Sequence, residues 1–191
     1  MKPERAAKPA ATLPGLIRQL SEAVAVSGDE HAVRQIVLQA VQNSADKLEV
    51  DALGNVLATR TGTSRRRERV MAAAHMDEVG VMIVSIESDG LLAIEAVGGL
   101  DARVLLGKQL WVGRQRLPGV VGATPVHLLK DEDEKRPVAF DALRVDIGAA
   151  SREAAAKLVQ PGDRATFATS FRNLGAACAA RPLMTASAWH C

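Results

Sequence analysis

From Val79 to about Phe167 the helical period almost disappears from this sequence, and that loss constrains the fold more than any other feature. Short β-branched stretches alternate there with Gly, Pro and Asp, the pattern of a small β-domain. "VGVMIVSIESDGLLAIEAVGG" reads as a hairpin turning at Asp89 and Gly90, "KQLWVGRQRLPGVVGA" as a second pair, and "ALRVDIGA" as one more strand. "SREAAAKLV" inserts a short helix with Ser151 at its cap. At roughly 90 residues such a domain is large enough to fold by itself.

The preceding residues have the opposite texture. In "PGLIRQLSEAVAV", residues 14–26, Leu16, Leu20, Ala23 and Val24 fall on one helical face. "SGDE" then offers a capping box in which Ser27 and Glu30 satisfy each other's free amides. A second helix over 30–44 carries Val33, Ile36, Val37, Ala40 and Val41 at helical spacing, with His31 in its first turn as a solvated residue rather than a ligand. "KLEVDALGNVLATRTG" reads as two short strands around a turn at Leu53 to Asn55, where Gly54 supplies the positive φ of a tight reversal. "SRRRERV" has the composition of an anion patch, but an Arg cluster at a loop tip is more often solvated. "DEDEK", residues 131–135, lacks the spacing and turn glycine of a calcium loop and reads as a mobile solvated loop. His127 alternates with apolar neighbours and reads as structural.

Composition narrows the function. A chain of 191 residues with 48% hydrophobic and 24% charged content is an ordinary globular protein of one or two domains. A net charge of +2, 3% aromatics and no Tyr give neither a basic stripe nor a stacking platform, so a nucleic-acid partner is not expected. No apolar leader opens the chain and no run of eighteen apolar residues occurs, so no membrane is expected and the location expected is cytoplasmic. Cys178 and Cys191 lack metal-motif spacing and read as reduced thiols.

One stretch calls for chemistry. "RVMAAA" reads as a buried parallel strand, and "HMDE" lies just past its C-terminal end, where open α/β sheets place ligands. In extended chain His75 and Asp77 share a face, while Met76 and Glu78 point the other way. A histidine binds zinc or cobalt through one ring nitrogen, and a neighbouring carboxylate orients the ring and raises its basicity. A His–Asp pair at a strand end also serves as an ordinary polar cap, and spacing alone leaves both readings open.

"AAHMDEVGVMI", with "VSGDE" and "DALGNV" upstream and "VGG", "GVVGATPVHLL" and "VDIGAASREAA" downstream, resembles the tetrahedral or glutamyl aminopeptidases, dinuclear metallopeptidases of family 42, some of which carry endoglucanase labels. The likeness runs in order from residue 14 to about 174. It implies an α/β fold, the N-terminal portion of a mixed-sheet catalytic domain (13–78 and 168–191) interrupted by a β-barrel-like dimerisation domain (79–167). It implies that His75 is a metal ligand and that Asp77 is the catalytic-site carboxylate that orients it. It further implies peptide substrates, homo-oligomers built through the β-domain, and two divalent ions, zinc or cobalt. Such ions, roughly 3.5 to 4 Å apart, polarise the scissile carbonyl and activate a water whose proton a glutamate takes.

The resemblance places the remaining ligands after residue 174: an Asp-Asp-Arg motif, a Glu-Glu pair, a further Asp and a late His. "GAACAARPLMTASAWHC" shows none of that pattern. Met184 must be ATG and Thr codons begin AC, so a frame starting on third codon positions contains GAC, an Asp, across Met184 and Thr185. With G or C at most free third positions, that frame can read Gly-Lys-Ala-Leu-Asp-Asp-Arg-Val-Gly-Val-Ala-Leu. The bias of 17 Arg against 7 Lys fits a GC-rich gene. The expectation is therefore a frameshifted, truncated chain whose last residues, about 17, are an aberrant tail, with weak or no metal binding and no activity alone. A non-catalytic assembly module is the alternative. An endoglucan hydrolase ranks last, because Asp77 and Glu78 point apart in a strand.

Overall fold

The computed structural model describes residues 12–63, 68–124, 137–175, 178–180 and 186–190. "DEDEK", His127, Cys191 and the Arg run 65–67 lie outside the described residues. In chain order the elements are α1 (Leu13–Glu22), α2 (His31–Val41), β1 (Lys47–Val50), β2 (Val56–Thr59), β3 (Val70–Ala74), β4 (Gly80–Ile86), β5 (Leu92–Val97), β6 (Gln109–Val112), β7 (Leu117–Gly122), β8 (Arg144–Asp146), α3 (Arg152–Ala156), β9 (Arg164–Phe167), β10 (Arg172–Asn173), β11 (Cys178–Ala179) and β12 (Ala186–His190). They divide into two compact units, one of residues 1–24, 30–76 and 169–191 and one of residues 25–29 and 77–168.

In the first unit α1 starts with Pro14 in its first turn, where a missing N–H costs nothing. It ends at Glu22 rather than Val26, because Ala23 is already extended with ψ 145°. Glu22 accepts the Phe171 N–H at 3.1 Å, and the Arg18 guanidinium lies 5.9 Å from the Phe171 ring centre. The capping box does not form: α2 begins at His31, its N-cap Glu30 makes no side-chain capping bond, and the helix ends at Val41 rather than at 44. His31 is exposed and Val33 is the buried residue of α2. β1 and β2 pair antiparallel around Gly54, whose φ is +90°. Asp51 closes that turn by accepting from the Leu53 N–H, the Asn55 N–H and the Asn55 side-chain amide.

β3 corrects the sequence reading most sharply. It is a strand, but its five side chains are exposed, and it pairs antiparallel with β12 instead of lying inside a parallel sheet. Apolar composition alone does not bury a strand. Burial needs layers on both faces, and among the described residues this sheet has two strands.

In the second unit six strands close into a barrel in the order β4-β5-β8-β7-β6-β9. Alternation sends Val81 and Ile83, Leu92 and Ile94, and Leu110 and Val112 inward, with Val121, Val145 and Ala165 from the other strands. In β4 the register shifts between Ile83 and Ser85, so Ile86 also faces in, three residues after Ile83. A bulge of this kind bends the strand around the barrel. Gly90 turns the β4–β5 hairpin with φ +91°, and the Ser151 hydroxyl accepts the Ala154 N–H at 3.2 Å to cap α3.

Candidate active site

Residues 25–29 belong to the same compact unit as the barrel. Val26, fully buried, forms a parallel bridge with Glu78, and the Glu78 N–H donates to the Ala25 carbonyl at 2.8 Å. Gly80 makes room for this approach: a Cβ there would stand 2.5 Å from a Val26 methyl and 2.6 Å from the Ala165 carbonyl oxygen. The Arg164 Nε–H reaches the Ser27 carbonyl at 3.4 Å.

This arrangement delivers two hydroxyls to two consecutive carboxylates. The Ser27 Oγ–H donates to Asp77 Oδ2 at 2.5 Å. The Thr166 Oγ1–H, on β9 and fully buried, donates to Glu78 Oε1 at 2.7 Å. Asp77 and Glu78 are each half-buried. Hydroxyl donors of this kind hold the plane of the carboxylate they meet. Ser27 and Thr166 were missed as functional partners because both bonds join residues far apart in the chain. The single local hint was that Ser27 sits in a segment rich in polar and turn residues.

His75, the candidate metal ligand, lies one residue past the end of β3 and is exposed. It belongs to the first unit, and Asp77 opens a segment of the second. Among the described residues, no three His, Cys, Asp or Glu side chains form a group that could hold a metal ion. One imidazole and one neighbouring carboxylate therefore do not fit a two-ion centre, which needs about three protein ligands for each working ion or bridging equivalents. No described helix is long and apolar enough to cross a membrane.

Residues 54–183 match the model of the M42 glutamyl aminopeptidase family. The lysyl aminopeptidase of Pyrococcus furiosus is 34% identical over 164 residues, covering 83% of this chain and 46% of that protein. A solved aminopeptidase of the archaeon Desulfurococcus kamchatkensis superposes with a TM-score of 0.73 at 33% identity, over 84% of this chain and 44% of that one. The TET1 peptidase of Pyrococcus horikoshii, which can assemble into a tetrahedron or a large octahedral shell, gives 0.67 at 32% identity, over 84% and 48%. This chain thus spans about half the length of the relatives it matches.

Proposed function

The chain belongs to the M42 glutamyl aminopeptidase family, and from that membership we propose that it carries one edge of a metalloaminopeptidase site, with His75 as a ligand of one divalent ion and Asp77 as the carboxylate that orients it. The observation carrying this reading is the bond that fixes Asp77 two residues after His75, within the family match: the Ser27 hydroxyl on Asp77 Oδ2 at 2.5 Å. A divalent cation held at such a site would supply Lewis acidity toward the peptide carbonyl. His75 would offer a neutral ring nitrogen, and Asp77 would keep the ring turned toward the ion.

These donors alone are half of such a clamp, so the 191-residue polypeptide is expected to hydrolyse no N-terminal residue from peptides unaided. An aminoacyl-anilide assay with added cobalt tests this. Background rates support the reading, and turnover that disappears in His75→Ala would overturn it.

A second reading is favoured by the closed barrel and its own core. Residues 79–167 would then act as a dimerisation domain that builds homo-oligomers, as the assembly of the Pyrococcus horikoshii relative suggests. Sedimentation should give a dimer or larger species; a monomer at all accessible concentrations contradicts it. Endoglucan hydrolysis gains no support from the hydrogen bonds of Asp77 and Glu78, which join each carboxylate to a separate hydroxyl, Ser27 and Thr166.

A further inference from the structure

The strands β4 to β9 close into a ring, and the buried core they enclose is drawn from residues between Val81 and Ala165. Ala25 and Val26 are buried too, but they are not part of that core. Ala165 points into it, so its neighbours on β9, Arg164 and Thr166, point out. The Arg164 Nε–H reaches the Ser27 carbonyl at 3.4 Å, which sets residues 25–29 against the barrel's outer face.

The contacts of this segment are those of a bound extended peptide. Main-chain recognition comes from the bridge between Val26 and Glu78 and from the Glu78 N–H on the Ala25 carbonyl at 2.8 Å, as when a peptide adds to a sheet edge. Side chains are then recognised in turn. Val26 fills the space left by the missing Cβ of Gly80, its methyl 2.5 Å from where that atom would stand. The Ser27 hydroxyl donates to Asp77 Oδ2. Gly28, with φ +86°, makes the turn that the Asp29 N–H closes on the Val26 carbonyl at 2.8 Å. The Asp29 carboxylate ends 3.8 Å from the exposed Arg114 guanidinium.

We propose that the outer face of the barrel between Gly80 and Arg164 is a peptide-docking groove, occupied here by the chain's own residues 25–29. The segment detaches without unfolding the barrel, and an extended segment of the same chemistry replaces it in trans: a β-branched residue, a hydroxyl residue, a turn glycine and an acid. A closed ring with its own core does not depend on what is docked outside it, so detachment is a local opening that costs less than global unfolding. Detachment also withdraws the Ser27 hydroxyl from Asp77.

Hydrogen exchange of the full chain reads this at the Glu78 amide, whose acceptor is the Ala25 carbonyl. The reference amides are Ile83 and Val121, which donate within the barrel unit to Asp163 and Lys108. In the wild type, Glu78 should exchange faster than Ile83 and Val121 and with little dependence on low urea. Val26→Asp should abolish the protection of Glu78 while Ile83 and Val121 stay slow. A synthetic peptide of residues 22–31, EAVAVSGDEH, added to the Val26→Asp chain should restore that protection, and the same peptide carrying Val26→Asp should not. Wild-type Glu78 exchanging no faster than Ile83 and Val121 overturns the proposal without any variant. It is equally overturned if Val26→Asp strips protection from all three amides or leaves Glu78 protected. A wild-type peptide that fails to protect Glu78 up to its solubility limit, or does no better than its Val26→Asp form, overturns docking in trans.

Discussion

Thr166 is fully buried, yet its hydroxyl donates to a carboxylate, Glu78, that is half open to solvent. A hydrogen bond to a charged group contributes about 1.5–3 kcal/mol, so Thr166→Val, which keeps the shape and removes the donor, should destabilise the chain by about that amount in urea denaturation. Thr166→Ser should recover most of it. A Thr166→Val chain as stable as the wild type would mean that the bond adds nothing. Asp51 provides a pH test. The Asn55 side-chain amide, followed by the Asn55 backbone N–H, holds its carboxyl below the usual carboxylate range. A lowered folded-state pKa contributes stability above the unfolded value of about 3.9, and that stability is lost as pH falls through the folded value. Acidification should therefore loosen the β1–β2 turn, and in an NMR titration Asn55→Ala should raise the Asp51 midpoint toward about 3.9. At this scale the sequence made Gly54 and Ser151 legible, because a turn glycine and a helix cap act on neighbours in the chain. It did not reveal Ser27 as a donor to Asp77, whose partner lies far along the chain, and it assigned that hydroxyl to a capping box instead.

Elements followed the same rule. α2, the β1–β2 and β4–β5 hairpins and α3 rest on local periodicity and turn chemistry, and each lies close to where its pattern places it. α1 stops short because Ala25 and Val26 are drawn into pairing with Glu78, a long-range interaction that outweighs helical propensity. Gly80 is the point where that pairing meets the barrel. Adding a methyl there would force Val26 or the Ala165 carbonyl to move, so Gly80→Ala should cost about 1–3 kcal/mol from overpacking. Thermal unfolding of Gly80→Ala beside Gly99→Ala, whose added Cβ would meet nothing within 4 Å, isolates the effect. Equal losses in the two variants would contradict the close approach. Reading β3 as buried failed for a different reason: its apolar run specified a strand, but burial depends on the layers around it, and Val70 and Met71 remain 63% and 52% exposed.

For the whole molecule, the closed barrel and the exposed β3 sheet imply unequal stability. Amides of β4 to β9 surround a continuous core and should exchange hydrogen slowly, whereas those of β3 should exchange much faster. Similar protection in both would contradict the exposure of β3. The family was legible because its motifs spread over most of the chain, while the proposed half-clamp rests on His75 and Asp77 and on finding, among the described residues, no group of three His, Cys, Asp or Glu side chains that could hold a metal ion. The most direct measurement of that count is isothermal titration of the purified 191-residue chain with zinc or cobalt. The expected result is no pair of tightly held ions, with any weak binding lost in His75→Ala; two tightly bound ions per chain would contradict it.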